Sequence, residues 1–229
     1  QKMYCYFELH IEQGPILENE NVDIGVVTHG QGLKWLEVKL IGIEQHTGTT
    51  PMHVRKDAGL AMSKIIQEVN NIALKNLPDV VGSVGHIEVF PNSRNVIPGK
   101  SIFTVDFRSH KNEKLEKMEN ELNIILNKIC KKLNIDYSIS QIGGFDPITF
   151  DENCVKLIRE SSIKLGYSHK NIISGAGHDA CAVNAKVPSA MIMCPCVNGI
   201  SHNESEEIKK EWATSSTNVL MHAAIEAAL

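Results

Sequence analysis

Between residues 33 and 142 the apolar residues change period in a fixed order, and that order limits the fold more tightly than any single motif. In residues 33–43, LKWLEVKLIGI, the side chains of Leu36, Val38 and Leu40 fall on one face at period two, as in a half-buried strand. A loop containing Gly48 and Pro51 follows. Residues 57–75 then set Leu60, Ala61, Ile65, Val69, Ile72 and Ala73 at helical spacing, an amphipathic helix with one core-facing stripe. Residues 84–89 and 102–107 return to the strand period, the second with Phe103, Val105 and Phe107 on one face, and the turn-rich PNSRNVIPGK separates them. A second helical stripe, Leu115, Met118, Leu122, Ile125, Leu126 and Ile129, occupies residues 112–133, and residues 135–142 close the series as a strand. The order β-α-β-β-α-β predicts a ferredoxin-like sandwich over residues 32–141, with two helices on one face of a four-stranded antiparallel sheet. The uncovered face is then solvated, or an edge strand pairs with a second subunit.

After Gly143-Gly144 the character becomes α/β. A helix is expected near residues 152–165, a short strand at NIIS, a helix from about Asp179, a strand at SAMIMC and a helix around residues 211–228. These elements are too few for a complete sheet. Residues 1–31 are therefore expected to lie in one α/β body with residues 142–229, the sandwich being inserted between them. The strand-like run from Tyr4 has no cap or turn ahead of it, so further chain is expected before Gln1.

Charge narrows the partners. The 229 residues carry a net charge of −4 with both signs interspersed, which gives no single-sign field for nucleic acid or an anionic membrane. Neither a membrane-length apolar run nor a basic-then-apolar leader is present, so the expected partners are small molecules or a second copy, in the cytoplasm. The six cysteines sit in hydrophobic surroundings without disulfide or CxxC spacing and are expected to be buried structural thiols, the Cys194-Pro195-Cys196 pair included.

Four motifs carry chemistry. In FELHIEQGP a strand puts Glu8, His10 and Glu12 on one face, so that a histidine can reach a metal with a carboxylate beside it as ligand or orienter. A solvated face of charged residues reads equally well from this stretch alone. In GISHNESEE, His202 lies in a turn after a buried strand, where α/β folds place their sites, although lone histidines there are more often surface or capping residues. In SGAGHDA, His178 opens a helix whose unpaired N–H groups suit an anionic substrate or oxyanion, unless Asp179 merely caps while His178 packs. Within the sandwich, IEQHTGTTPM with His46, and NSRNVIPG followed by VDFR with Asn95 and Arg108, offer donors for a carboxylate, the guanidinium matching it with paired N–H groups.

ELHIEQGP, the stretch around HTGTTPMHVRKDA, PNSRNVIPG with its following DFR, SGAGHDA and PCVNGISHNE stand here in the order typical of one group. The chain resembles, over essentially its whole length, the amidohydrolase branch of the dinuclear metallopeptidase family that includes aminoacylase and carboxypeptidase G. Within that branch it looks most like the N-carbamoyl-L-amino-acid hydrolases, the β-ureidopropionases and the allantoate amidohydrolases. The resemblance implies an α/β catalytic domain binding two divalent metals, zinc, manganese, cobalt or nickel, with the inserted sandwich as a lid that also forms a homodimer. It implies that His10 and His202 are each a terminal ligand of one metal, and that Gln13 and His178 line the substrate pocket. It implies too that Asn95 and Arg108 grip the substrate carboxylate and His46 steadies the oxyanion, often from the partner subunit. The substrate so implied is an N-carbamoyl amino acid, cleaved at its carbamoyl C–N bond to amino acid, ammonia and carbon dioxide.

The sequence departs from the family pattern in one respect. The bridging aspartate, the first histidine ligand and the Glu-Glu pair that supplies base and ligand all precede ELHIEQG in the family, and nothing before Tyr4 can provide them. Two neutral imidazoles do not offset two divalent ions, and a catalytic zinc normally takes three protein ligands. The polypeptide alone is therefore expected to be inactive, as part of an active parent. Two other readings stay open: allantoate or peptide-like amides as substrate, and a non-enzymatic dimerisation module.

Overall fold

The computed structural model describes residues 3–229, so the expected chain ahead of Gln1 lies outside the described residues. The chain divides into two compact units, Gln1–Gln31 with Ile148–Leu229, and Gly32–Pro147. It begins with strand β1 (Tyr6–Ile11), a one-turn helix α1 (Ile16–Asn19) and strand β2 (Ile24–Gly30). It then forms the whole second unit: β3 (Gly32–Ile41), β4 (Gln45–His46), a 3-10 turn (Met52–Val54), α2 (Ala58–Lys75), β5 (Val80–Phe90), β6 (Val96–Ile97), β7 (Lys100–Ser109), α3 (Asn112–Leu133) and β8 (Asp136–Phe145). It returns to the first unit through β9 (Ile148–Thr149), α4 (Glu152–Lys164), β10 (His169–Ser174), α5 (Asp179–Val183), β11 (Ser189–Cys194) and α6 (Lys210–Ala228).

In the second unit the four long strands form an antiparallel sheet in the order β5-β7-β3-β8. Burial alternates strictly along β7, with Ser101, Phe103, Val105 and Phe107 inward, and this period dictates which face the helices cover. Leu36, Val38 and Leu40 of β3 share that core with Ala61, Ile65, Val69 and Ile72 of α2 and with Leu115, Met118, Leu122 and Leu126 of α3. The Asp57 carboxylate starts α2 by accepting from the Leu60 N–H at 2.9 Å. Each large side chain buried here contributes about 1.5–3 kcal/mol, so the sheet and its two helices are held mainly by this one layer. The unit extends to Pro147 rather than ending at 141. The Gly143-Gly144 pair does not break β8: it carries the strand past a register shift opposite Trp35 and Leu36, where a Cβ on Gly143 would lie 3.0 Å from the Trp35 ring.

The first unit is built on a mixed sheet in the order β1-β11-β2-β10, with β9 pairing with β2. Strand β1 runs parallel to β11, β2 antiparallel to β11 and β10 parallel to β2. All six residues of β11 are buried, as a strand flanked on both edges and covered by helices requires. Leu17, Ile24, Val26, Ile158, Met191, Ile192 and Val219 form its core. The expected helix from Asp179 is short, only α5, and it lies against β1 and β11. All six cysteines are free thiols, and Cys194 and Cys196 are both buried, so the Cys-Pro-Cys pair packs. Among the described residues, no helix is long and apolar enough to cross a membrane.

Candidate functional site

Because β1 and β11 are parallel, the loops that follow them leave the sheet on the same side, and they meet. The Glu12 N–H donates to the Cys194 carbonyl at 2.8 Å, Gln13 Nε2 donates to Ser201 Oγ at 2.8 Å, and the same nitrogen lies 3.3 Å from His202 Nε2. Gln13 (φ 58°) and His202 (φ 56°) both adopt the left-handed region, which costs a residue with a side chain on the order of 1 kcal/mol and is concentrated at functional positions. Gly199 makes the approach possible: its φ is +65°, and a Cβ there would lie 2.5 Å from the Pro15 backbone nitrogen. The His202 N–H donates to Glu206 Oε2 at 3.1 Å.

Of the three residues expected on one strand face, two stay together. Glu12 leaves it: past the end of β1 its buried carboxylate accepts from the N–H groups of Ile16 (2.9 Å) and Leu17 (2.8 Å), closing the start of α1. Burial raises its pKa in spite of those two bonds. Glu8 stays beside His10 and accepts from the Ala180 N–H at 2.6 Å. Of the two readings of this helix start, a free N–H for an anion or a cap by Asp179, neither describes this N–H: in the first turn of α5, it is taken by the carboxylate of Glu8.

His10 Nδ1 lies 2.8 Å from the Ile11 carbonyl, which can only accept, so the ring proton sits on Nδ1 and the Nε2 lone pair is left as a donor of the kind metals bind. The His178 ring stands edge-on to it, centroids 4.4 Å apart, with Nε2 at 2.8 Å from Ser174 Oγ. The His178 side chain is 3 % exposed, and burial, with His10 close by, lowers its pKa to about 4, so it is neutral near pH 7. Among the described residues no three His, Cys, Asp or Glu side chains gather as a metal site. The donors of this chain therefore do not by themselves fit a complete divalent-metal centre.

The second unit brings together two of its three expected residues. In the short β4-β6 ribbon His46 pairs with Val96, and the next N–H, from Thr47, donates to the Asn95 carbonyl at 3.0 Å. The Gly48 and Thr49 N–H groups point at His46 Nδ1 from 3.0 and 3.3 Å. That nitrogen is thus the acceptor, and the exposed ring presents Nε2–H outward. The Asn95 Oδ1 accepts from Ser93 Oγ at 3.0 Å, which turns the amide NH2 away from that contact.

Arg108 lies elsewhere, eight positions beyond Lys100 on β7 and so roughly 26 Å along the strand at about 3.3 Å per residue. The ribbon of His46 and Asn95 adjoins the Lys100 end, where the Gly42 N–H donates to the Gly99 carbonyl at 2.7 Å. The Arg108 guanidinium clasps Asp106, Nη2 to Oδ2 at 2.8 Å and Nε to Oδ1 at 3.1 Å, and this pairing raises its pKa further. Sequence reasoning passes over both Asp106 and Ser201: Asp106 stands two residues before Arg108 in DFR, on the same strand face, a spacing that could have pointed to it, whereas Ser201 meets Gln13 only through the fold of two distant loops.

The profile of peptidase family M20/M25/M40 matches residues 1–226, and the chain belongs to that family. Within it the similarity runs to amidohydrolases. The chain is 54% identical over 228 residues to an N-carbamoyl-L-amino-acid amidohydrolase of Rhizobium meliloti, covering 100% of this chain and 55% of that protein. It is 36% identical over 203 residues to the allantoate amidohydrolase of Bacillus subtilis, 88% of this chain and 49% of that one. Its fold superimposes with a TM-score of 0.95, at 45% identity, on an amidase of the hydantoinase/carbamoylase family from Burkholderia multivorans, covering 100% of this chain and 56% of that chain. The chain spans about half the length of the curated relatives it matches.

Proposed function

We propose that the protein to which these residues belong is a metal-dependent amidohydrolase that cleaves the carbamoyl C–N bond of N-carbamoyl amino acids, releasing amino acid, ammonia and carbon dioxide. The observation that carries this reading is the β4-β6 ribbon, which brings Asn95 beside His46 through the Thr47 N–H, with the His46 proton left on the outward Nε2. An N–H held in place before the substrate arrives is the device that stabilises charge developing on a carbonyl oxygen. In this reading His46 donates to that oxygen, Asn95 and Arg108 hold the substrate carboxylate, and Gln13 and His178 line the pocket. His10 and His202 each ligate one of two divalent metals, zinc, manganese, cobalt or nickel. The metals polarise the carbamoyl group and activate water. Their remaining ligands and the general base come from outside these 229 residues, in keeping with the lack of a three-ligand cluster among the described ones. Free thiols are in keeping with a cytoplasmic setting.

We take residues 32–147 as a ferredoxin-like lid and dimerisation domain. The separation of Arg108 from His46 and Asn95 along β7 favours two copies, because one lid cannot bring all three to one substrate. One protomer then supplies His46 and Asn95, and Arg108 comes from the other. The test is complementation in the full-length protein between His46→Ala and Arg108→Ala, each expected to be nearly inactive alone. Co-refolded in equal amounts, half the dimers are mixed, each with one intact site, and about a quarter of wild-type activity returns. No gain on mixing overturns the shared site. Activity with allantoate in place of N-carbamoyl amino acids would redirect the substrate assignment without touching the complementation.

A further inference from the structure

The turn that holds His46 is clasped from behind by a cation. Arg55 Nη2 donates to the carbonyls of Thr47 (2.6 Å) and Thr50 (2.9 Å), and its Nε donates to the Thr50 carbonyl again at 3.1 Å. The Thr50 N–H returns to the His46 carbonyl at 3.2 Å, so the segment from His46 to Thr50 is a closed turn with Arg55 across its carbonyls. The carbonyl of Thr47 and the N–H of Gly48 belong to one planar peptide unit, pointing in opposite directions. Its oxygen lies on the Arg55 guanidinium, and its N–H lies on His46 Nδ1 at 3.0 Å. A charge-assisted bond at the carbonyl end both fixes the plane and strengthens the donor at the other end. Gly48 suits the place, since a Cβ there would lie 3.2 Å from His46 Cε1.

We infer that Arg55 is a positioning residue for His46: through the Thr47–Gly48 peptide it keeps Nδ1 an acceptor and so keeps the proton on the outward Nε2. The inference rests on the proposed role of His46 and concerns how that role is maintained. Arg55 touches no substrate. Its loss acts first on the step that needs the aimed N–H; Asn95 is joined to the turn through the Thr47 N–H, on the peptide before the clasped carbonyl, so the grip on the carboxylate changes less.

The experiment uses the full-length protein with 15N-labelled histidine. Ring 15N shifts, with the His46 resonances assigned by their absence in His46→Gln, report the tautomer directly, and steady-state kinetics report kcat and KM. Arg55→Ala is expected to lower kcat on the order of tenfold, less than the loss of a whole donor group, with KM within a factor of about two. It should also convert His46 from the Nε2–H form to a mixture of tautomers. Arg55→Lys, which keeps the charge without the fork, should restore part of both. Should Arg55→Ala fail to fold, Arg55→Gln is read in the same way. An unchanged kcat together with an unchanged tautomer in the folded variant overturns the role of Arg55. An unchanged kcat in His46→Gln instead sinks the proposed role of His46, and the tautomer readout still tests the clasp.

Discussion

Gly199 of the GISH loop lies close against the Gly14-Pro15 turn, in a conformation that disfavours any Cβ. Gly199→Ala adds a methyl 2.5 Å from a backbone nitrogen at φ +65°, so one of the two loops must move. We expect a loss of stability of at least about 1 kcal/mol, seen in denaturant unfolding of the full-length protein. Because Gln13 and His202 are held in strained conformations by the same two loops, the contact between their side chains should loosen with it. An unshifted unfolding midpoint would mean that the loops are free to separate at no cost. The histidines themselves were legible as chemistry-bearing residues, but their states were not. The tautomers of His10 and His46 are set by carbonyl and amide groups one to three residues away, and the displacement of Glu12 onto α1 follows from where β1 ends.

At the level of elements, both long helices of the second unit and the strands they cover could be read from period alone, since each buries one stripe, although Leu60, counted in that of α2, is exposed. Short or interrupted elements could not. The IGVVTHG stretch of β2 mixes a buried apolar run with Thr and His and shows no alternation, although it lies between β11 and β10 in the sheet. The two-residue strands β4 and β6, which make His46 and Asn95 neighbours, are too short to leave any pattern. Helix α3 also makes stability depend on pH. Cys130 on its inner face is fully buried, and burial pushes its thiol from the ordinary 9.0 up to about 11. In the window between those values the unfolded chain has lost a proton that the folded chain keeps. The stabilisation is therefore complete below about pH 9 and is lost as pH rises towards 11. Denaturant melts of wild type and Cys130→Ala at pH 8 and pH 10.5 should show a steeper alkaline loss in the wild type. Equal slopes would place the thiol in a wetter environment than its burial implies.

For the molecule as a whole, the prediction concerns what 229 residues can do alone. With imidazoles but no cluster of three ligand side chains among the described residues, they should bind zinc or manganese weakly and turn over neither N-carbamoyl amino acids nor allantoate. Measurable turnover by the isolated polypeptide would refute the view that the missing charge lies elsewhere in the parent protein. The second unit is one continuous stretch of chain whose two ends lie side by side: Gly30 is paired with Ile148, and a Cβ on Gly32 would lie 2.4 Å from the Pro147 nitrogen. In genetic terms the whole unit is one in-frame cassette, and the gap its removal would leave between Gly30 and Ile148 is one that a two-residue turn can bridge.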